Sequence, residues 1–155
     1  MRIWRICKAK YAATAFDGEG ALRAGGRWNS RGNAVAYTSD SLALAALELL
    51  AHILSTELAP PQLVAIPADL PDELAGPAVD AEDLPEDWRR PTGHPELRAL
   101  GDQWLTDCRS VALRVPSAVI SVEENILLNP EHVEFGRVEI GEPRTFQLDS
   151  RLMVT

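Results

Sequence analysis

Apolar and polar residues alternate over residues 1–9, placing Ile3 and Arg5 on one side of an extended segment and Trp4 and Ile6 on the other. That is the pattern of a partly buried opening strand. Ala34–Thr38 (AVAYT) repeats it on a shorter scale. Ser39, Asp40 and Ser41 then offer oxygen-bearing caps to a helix that runs from Leu42 to Leu58 and stops at Pro60-Pro61. This helix is apolar almost all round, which predicts burial. Gln62–Ile66 (QLVAI) reads as another strand. From 67 to 91 the periodicity disappears, and eight acidic residues with five prolines predict a solvated connector. Pro95 to Arg109 sets Leu97, Leu100, Trp104 and Leu105 at helical spacing behind a first-turn proline. Val111–Val115 reads as a strand stopped by Pro116, and Val119–Val122 as resumed extended chain. Val133–Ile140 alternates loosely, and Thr145–Leu148 closes the series. The order predicts an α+β fold in a single domain over residues 1–155, its sheet mostly antiparallel in the second half.

Composition changes this picture in three places. Phe16 to Asn33 (FDGEGALRAGGRWNSRGN) has five glycines in eighteen residues and reads as loop. Arg23 stands where the third glycine of a dinucleotide fingerprint would fall and no GK[ST] exists, so Rossmann and P-loop readings are excluded. What remains is GGRWN, in which Arg27 offers a planar fork of donors suited to phosphate or carboxylate. A net charge of −8 excludes a domain built to grip nucleic acid or anionic lipid, yet residues 1–31 hold seven basic side chains against Asp17 and Glu19. Such an island suits a small anion. Cys7 and Cys108 form no CxxC, and His52, His94 and His132 have no metal-ligand spacing, so neither a disulfide framework nor a metal is expected. The charged opening MRIWRICKAK is unlike a signal peptide and no apolar run reaches membrane length, which predicts a cytoplasmic protein.

Glu48 is the chemical anomaly. It interrupts LALAALELLAHILS, where a buried charge costs several kcal/mol unless paired or solvated. Helical counting puts Ser41, Glu48, His52 and Ser55 on one side. Two readings stay open: the stripe lines a polar cavity where the carboxylate does acid–base or cation-stabilising work, or Glu48 pairs with an internal Arg or Lys. Ser117, in VPSAVI, lacks a GxSxG elbow and carries no local mark of a nucleophile.

Taken together, FDGEGALRAGGRWNSRGNAVAYTSDSLALAALELLAH, LPEDWRR, LGDQWL, VPSAVISVEENILLNPEH and LDSRL closely resemble the RES-domain toxins of bacterial toxin–antitoxin pairs, named for an arginine, a glutamate and a serine. The matching residues are Arg27, Glu48 and Ser117. The resemblance implies a fold like that of ADP-ribosyltransferase toxins and an activity directed at NAD, by hydrolysis or phosphorolysis of its nicotinamide–ribose bond. Transfer of ADP-ribose to a protein is the alternative. A third reading, a non-catalytic interaction module, predicts that Arg27 and Glu48 are dispensable. On the enzyme reading NAD is a substrate, inorganic phosphate a co-substrate at most, and no cofactor is needed. Arg27 would hold the pyrophosphate, Glu48 the ribose cation, and Ser117 would orient the substrate. Tyr37 would meet the nicotinamide end, with Lys8, Asn29 and Asn125 as further phosphate and ribose contacts. The expected partner is an Xre-like helix-turn-helix antitoxin whose C-terminal part blocks the active site. A homodimer is allowed for with no surface assigned, and direct nucleic-acid or membrane contact is not expected.

Overall fold

The computed structural model describes residues 1–56 and 62–153. Arg2–Lys8 form β1, with Ile3 fully buried. It runs between β2 (Ala36–Ser39) and β3 (Leu63–Asp69), and the sheet is completed by β4 (Ala112–Pro116), β5 (Glu124–Leu128), β6 (Glu139–Ile140) and β7 (Arg144–Phe146). The order is β4-β5-β2-β1-β3-β6, with β7 also on β3. Every pairing between these strands is antiparallel. β3 extends through Pro67, which falls between the residues paired to β7 and those paired to β6, where no ladder donor is needed.

Side chains of successive residues face opposite sides of the sheet and build two cores. Ile3, Ile66, Ile126 and Leu128 belong to one; Leu113, Val115 and Leu127 belong to the other, together with Trp28, Trp88, Leu97 and Trp104. β1 and β2 share only the register pair Trp4↔Ser39, whereas β1 and β3 are in register along their full length. The two strands therefore splay, and the gap between them becomes a cleft.

Among the described residues the α-helices are α1 (Glu19–Ala24), α2 (Leu42–Thr56) and α3 (Pro95–Asp107). α2 takes one of the caps the sequence offers, and α3 adds a cap from His94 ahead of its first-turn proline. Ser41 Oγ accepts from Leu44 N at 3.0 Å, and His94 Nδ1 accepts from Glu96 N at 3.2 Å. The latter bond leaves the His94 Nε2 proton to bond Asp87, 3.1 Å away.

Several expectations need correction. α2 is not buried all round: Leu44, Ala45 and Ile53 face inward, while Ala43, Leu47 and Ala51 are exposed, because the helix packs on β1 and β2 from one side only. The expected end of this helix, residues 57–58, lies outside the described residues. The segment from Phe16 to Asn33 is not all loop. α1 forms within it and stops at Gly25, whose φ of +73° supplies the left-handed turn a side chain would resist.

Residues 67–91 are not a solvated connector. Leu74 and Trp88 are buried, and the backbone bonds β4 through Arg114 N to Pro77 O (2.9 Å) and Val79 N to Arg114 O (2.8 Å). Isolated anchors on irregular backbone leave no period to read. Val119–Val122 is a turn and the strand begins at Glu124, since the Ser117 hydroxyl captures the amides of Val119 and Ile120. Val133 is 94% exposed, and of the expected strand 133–140 only the last two residues pair.

Candidate active site

The splay between β1 and β2 opens a cleft of about 510 Å³, walled by Trp4, Arg5 and Ile6 on one strand and Tyr37, Thr38 and Ser39 on the other. α2 closes it with Glu48, Leu49 and His52. Ser41 caps the helix, and the Ser55 side chain lies outside the described residues, so the expected polar stripe contributes Glu48 and His52 to the cleft.

Glu48 is anchored by two neutral donors and makes no ion pair among the described residues. Its Oε1 accepts from Ser117 Oγ and from Asn125 Nδ2, both at 2.6 Å. Asn125 is oriented in turn by Ser39 Oγ, which donates to its Oδ1 at 2.7 Å. Both bonds to Glu48 fall on Oε1, which leaves Oε2 as the oxygen able to act on a ligand. Ser117, fully buried, accepts from the Val119 and Ile120 amides at 3.0 Å each while its proton is committed to Glu48. It is built to position the carboxylate.

Ser117→Ala strands two backbone donors and one carboxylate oxygen. We expect a loss of about 1–3 kcal/mol in stability, read by urea denaturation, the range for an unsatisfied buried polar group. A loss below about 0.5 kcal/mol would mean that water replaces the hydroxyl.

Arg27 lies in a turn closed by Gly26 N and Asn29 O at 3.0 Å. Its Nη1 donates to the carbonyls of Trp88 (2.9 Å) and Arg90 (3.0 Å), the irregular segment that carried no sequence signal. Burial lowers the Arg27 pKa from its ordinary value, opposed by the nearby charge of Glu48. Asn29 holds the turn from within: fully buried, it donates to Ala21 O (2.9 Å) and Asn33 O (3.1 Å) and accepts from Tyr37 Oη at 2.7 Å. Tyr37 Oη also accepts from Trp28 N at 3.1 Å, so its ring lines the cleft while its hydroxyl braces the arginine turn. Burial pushes the Tyr37 phenol well above its ordinary value, which keeps it protonated. Lys8 stands at the end of β1, away from the cleft-lining residues.

Arg5 was not among the expected site residues. It is half-buried in the cleft wall, its Nη1 donates to Tyr37 O at 2.8 Å across the splay, and its buried Nε has no hydrogen-bond partner. Burial lowers its pKa, with Cys7 and Asp17 opposing. A signal existed: a strand face that buries Ile3 places a guanidinium two residues later, and such a charge needs a site.

α3 backs the arginine turn. Asp102 Oδ1 accepts from Ser30 N (2.9 Å) and Asn33 Nδ2 (2.8 Å). Burial pushes the Asp102 pKa up, but the bonds from Ser30 and Asn33 and the charge of Arg98 outweigh it and leave the value lowered. A carboxyl with a depressed folded pKa stabilises fully above its unfolded value, about 4, and loses that contribution as pH falls through the folded value. Below about pH 4, wild-type Ser30 amide protection in hydrogen exchange should therefore fall more steeply than in Asp102→Asn, which does not titrate. Equal acid sensitivity of the two would remove Asp102 as the cause.

A sheet-splay cleft holding an anchored carboxylate beside two half-buried arginines is the candidate site of this α+β domain. The RES domain model matches residues 2–149, and the chain belongs to that family. A protein called Toxin Res from Photorhabdus laumondii is 32% identical over 99% of this chain and 97% of its own length. One called Prs ADP-ribosylating toxin from Sphingobium is 34% identical over 97% and 95% respectively. The same fold occurs in the Mycobacterium tuberculosis MbcT–MbcA toxin–antitoxin complex: TM-score 0.77, 20% identity, 94% of this chain and 83% of that one.

Proposed function

We propose that this chain is the toxin of a toxin–antitoxin pair and that it depletes NAD by cleaving the nicotinamide–ribose bond. The observation that carries this reading is the Glu48 carboxylate, fixed by Ser117 and Asn125 and facing a cleft that also holds Arg5 and Arg27. When that C–N bond breaks, nicotinamide leaves with the bonding pair as a neutral base and the ribose carbon becomes an oxocarbenium ion. A fixed carboxylate beside it stabilises the transition state more than the ground state. Water or a phosphate oxygen then attacks the carbon, and water loses its extra proton to solvent. Arg27 and Arg5 hold the pyrophosphate through charge-assisted bonds. The ring of Tyr37 packs at the nicotinamide end, and Asn125 serves the ribose side while holding Glu48.

The structural relative solved in a toxin–antitoxin complex supports an antitoxin as partner. On our reading the partner is an Xre-like antitoxin whose C-terminal part enters the cleft.

Incubating the purified chain with NAD, with and without phosphate, tests the proposal. Free nicotinamide with ADP-ribose denotes water as acceptor, and nicotinamide with a phosphorylated ADP-ribose denotes phosphate. NAD that survives both incubations overturns the reading. The name of the Sphingobium relative favours a second reading, ADP-ribosylation of a protein. Its mark would be label on a cellular protein while bulk NAD stays intact.

A further inference from the structure

A second cavity, of about 520 Å³, adjoins the Glu48 cleft. Ala24, Gly25, Gly26 and Arg27 line both, so the arginine turn is their shared border. Arg31 and Arg98 also line the second cavity, and no carboxylate does among the described residues. Arg2, Arg23, Arg90, Arg114, Arg137 and Arg151 each pair with a carboxylate. Arg31 and Arg98 form no ion pair among the described residues, and Arg98 reaches Asp102 only through the longer-range field. In a chain of net charge −8, Arg27, Arg31 and Arg98 line one cavity, and none of the three makes an ion pair among the described residues. Such a cluster repels itself unless an anion occupies it. The wall is mainly backbone, arginine and short polar side chains, with no aromatic platform.

The geometry points to this second cavity as the subsite for the adenosine diphosphate half of the dinucleotide, with Arg31 and Arg98 taking its adenosine-side phosphate. The inference rests on the NAD reading of the first cleft. A dinucleotide is two nucleoside halves joined by a pyrophosphate, and here two cavities of similar size flank Arg27. With the scissile bond at Glu48, the pyrophosphate crosses the shared border at Gly25–Gly26 and the remaining half lies in the second cavity. Contacts so far from the reacting carbon are the same in ground and transition states, so they set KM and leave kcat alone.

The chemistry recognised is a phosphate, which could also be the free anion. Calorimetric titration with ADP, and separately with inorganic phosphate, distinguishes these sources in the wild type, the Arg31→Gln/Arg98→Gln double variant, and Arg23→Gln as a basic control outside both cavities. The expected result is that the wild type binds ADP more tightly than inorganic phosphate, that ADP affinity falls about tenfold in the double variant, and that the control matches the wild type. The KM for NAD in nicotinamide release should rise by the same factor, with kcat within about twofold. Unchanged ADP affinity and KM overturn the subsite, as does a loss confined to inorganic phosphate. A wild type that releases no nicotinamide yet binds ADP through these arginines keeps the subsite and overturns the NAD reading alone.

Discussion

Replacing Glu48 by glutamine is expected to slow nicotinamide release from NAD by at least about a hundredfold, with KM and thermal melting little changed. Glutamine keeps the length of the side chain and an Oε1 able to accept from Ser117 and Asn125, so the local network at 2.6 Å survives. What disappears is the negative charge available to a ribose that becomes cationic only as the C–N bond opens. A preorganised partner for developing charge is typically worth about 10²–10³ in rate, roughly 2.7–4 kcal/mol. Because the interaction strengthens only at the transition state, the loss should appear in kcat. Single-turnover release of nicotinamide, with circular dichroism to confirm the fold, measures it. A fall of less than about tenfold would take the carboxylate out of the chemistry.

The difference between Glu48 and Ser117 shows how far the sequence could be read. Glu48 announces itself, since a carboxylate amid LALAALELLAHILS has no cheap apolar solution. Ser117 carries no such mark: its importance lies in two amides and one carboxylate 69 positions away, and only the family resemblance singled it out. Asn29 has the same character, its amide bonding several carbonyls of the loop around it. The anchors of Arg27 are main-chain carbonyls of Trp88 and Arg90, and a carbonyl is present at every position of every sequence. Regular periodicity fixed β1, α2, β3 and α3 to within a few residues. It failed where isolated apolar residues hang on irregular chain, as at Leu74 and Trp88, and where glycines that signal loop instead bound a short helix. All-round apolarity overstated the burial of α2, because composition cannot say how many neighbours a helix has.

Gly101 shows a dependence of the site on close packing, and Gly101→Ala is the substitution we expect to cost the fold most. Gly101 lies in α3, and a Cβ there would stand 1.7 Å from the Trp28 carbonyl oxygen and 2.8 Å from its carbon. Either the helix or the arginine turn must move. α3 is held by Leu97 and Trp104 in the core, and the turn is held by Trp28, which is 2% exposed, so neither retreats without opening packed surface. Overpacking of this kind costs about 1–3 kcal/mol, and more where the clash is with backbone. We expect about 3 kcal/mol or more, which for a domain of this size lowers Tm by roughly 10 °C. The turn that yields carries Arg27, so the remaining folded fraction, assayed well below its Tm, should also show a raised KM for NAD. Asp102→Asn retains an acceptor for Ser30 N without adding volume, and should melt within a few degrees of wild type. If Gly101→Ala melts there too, the contact between α3 and the arginine turn is looser than drawn, and Arg27 owes its position to the Trp88 and Arg90 carbonyls alone.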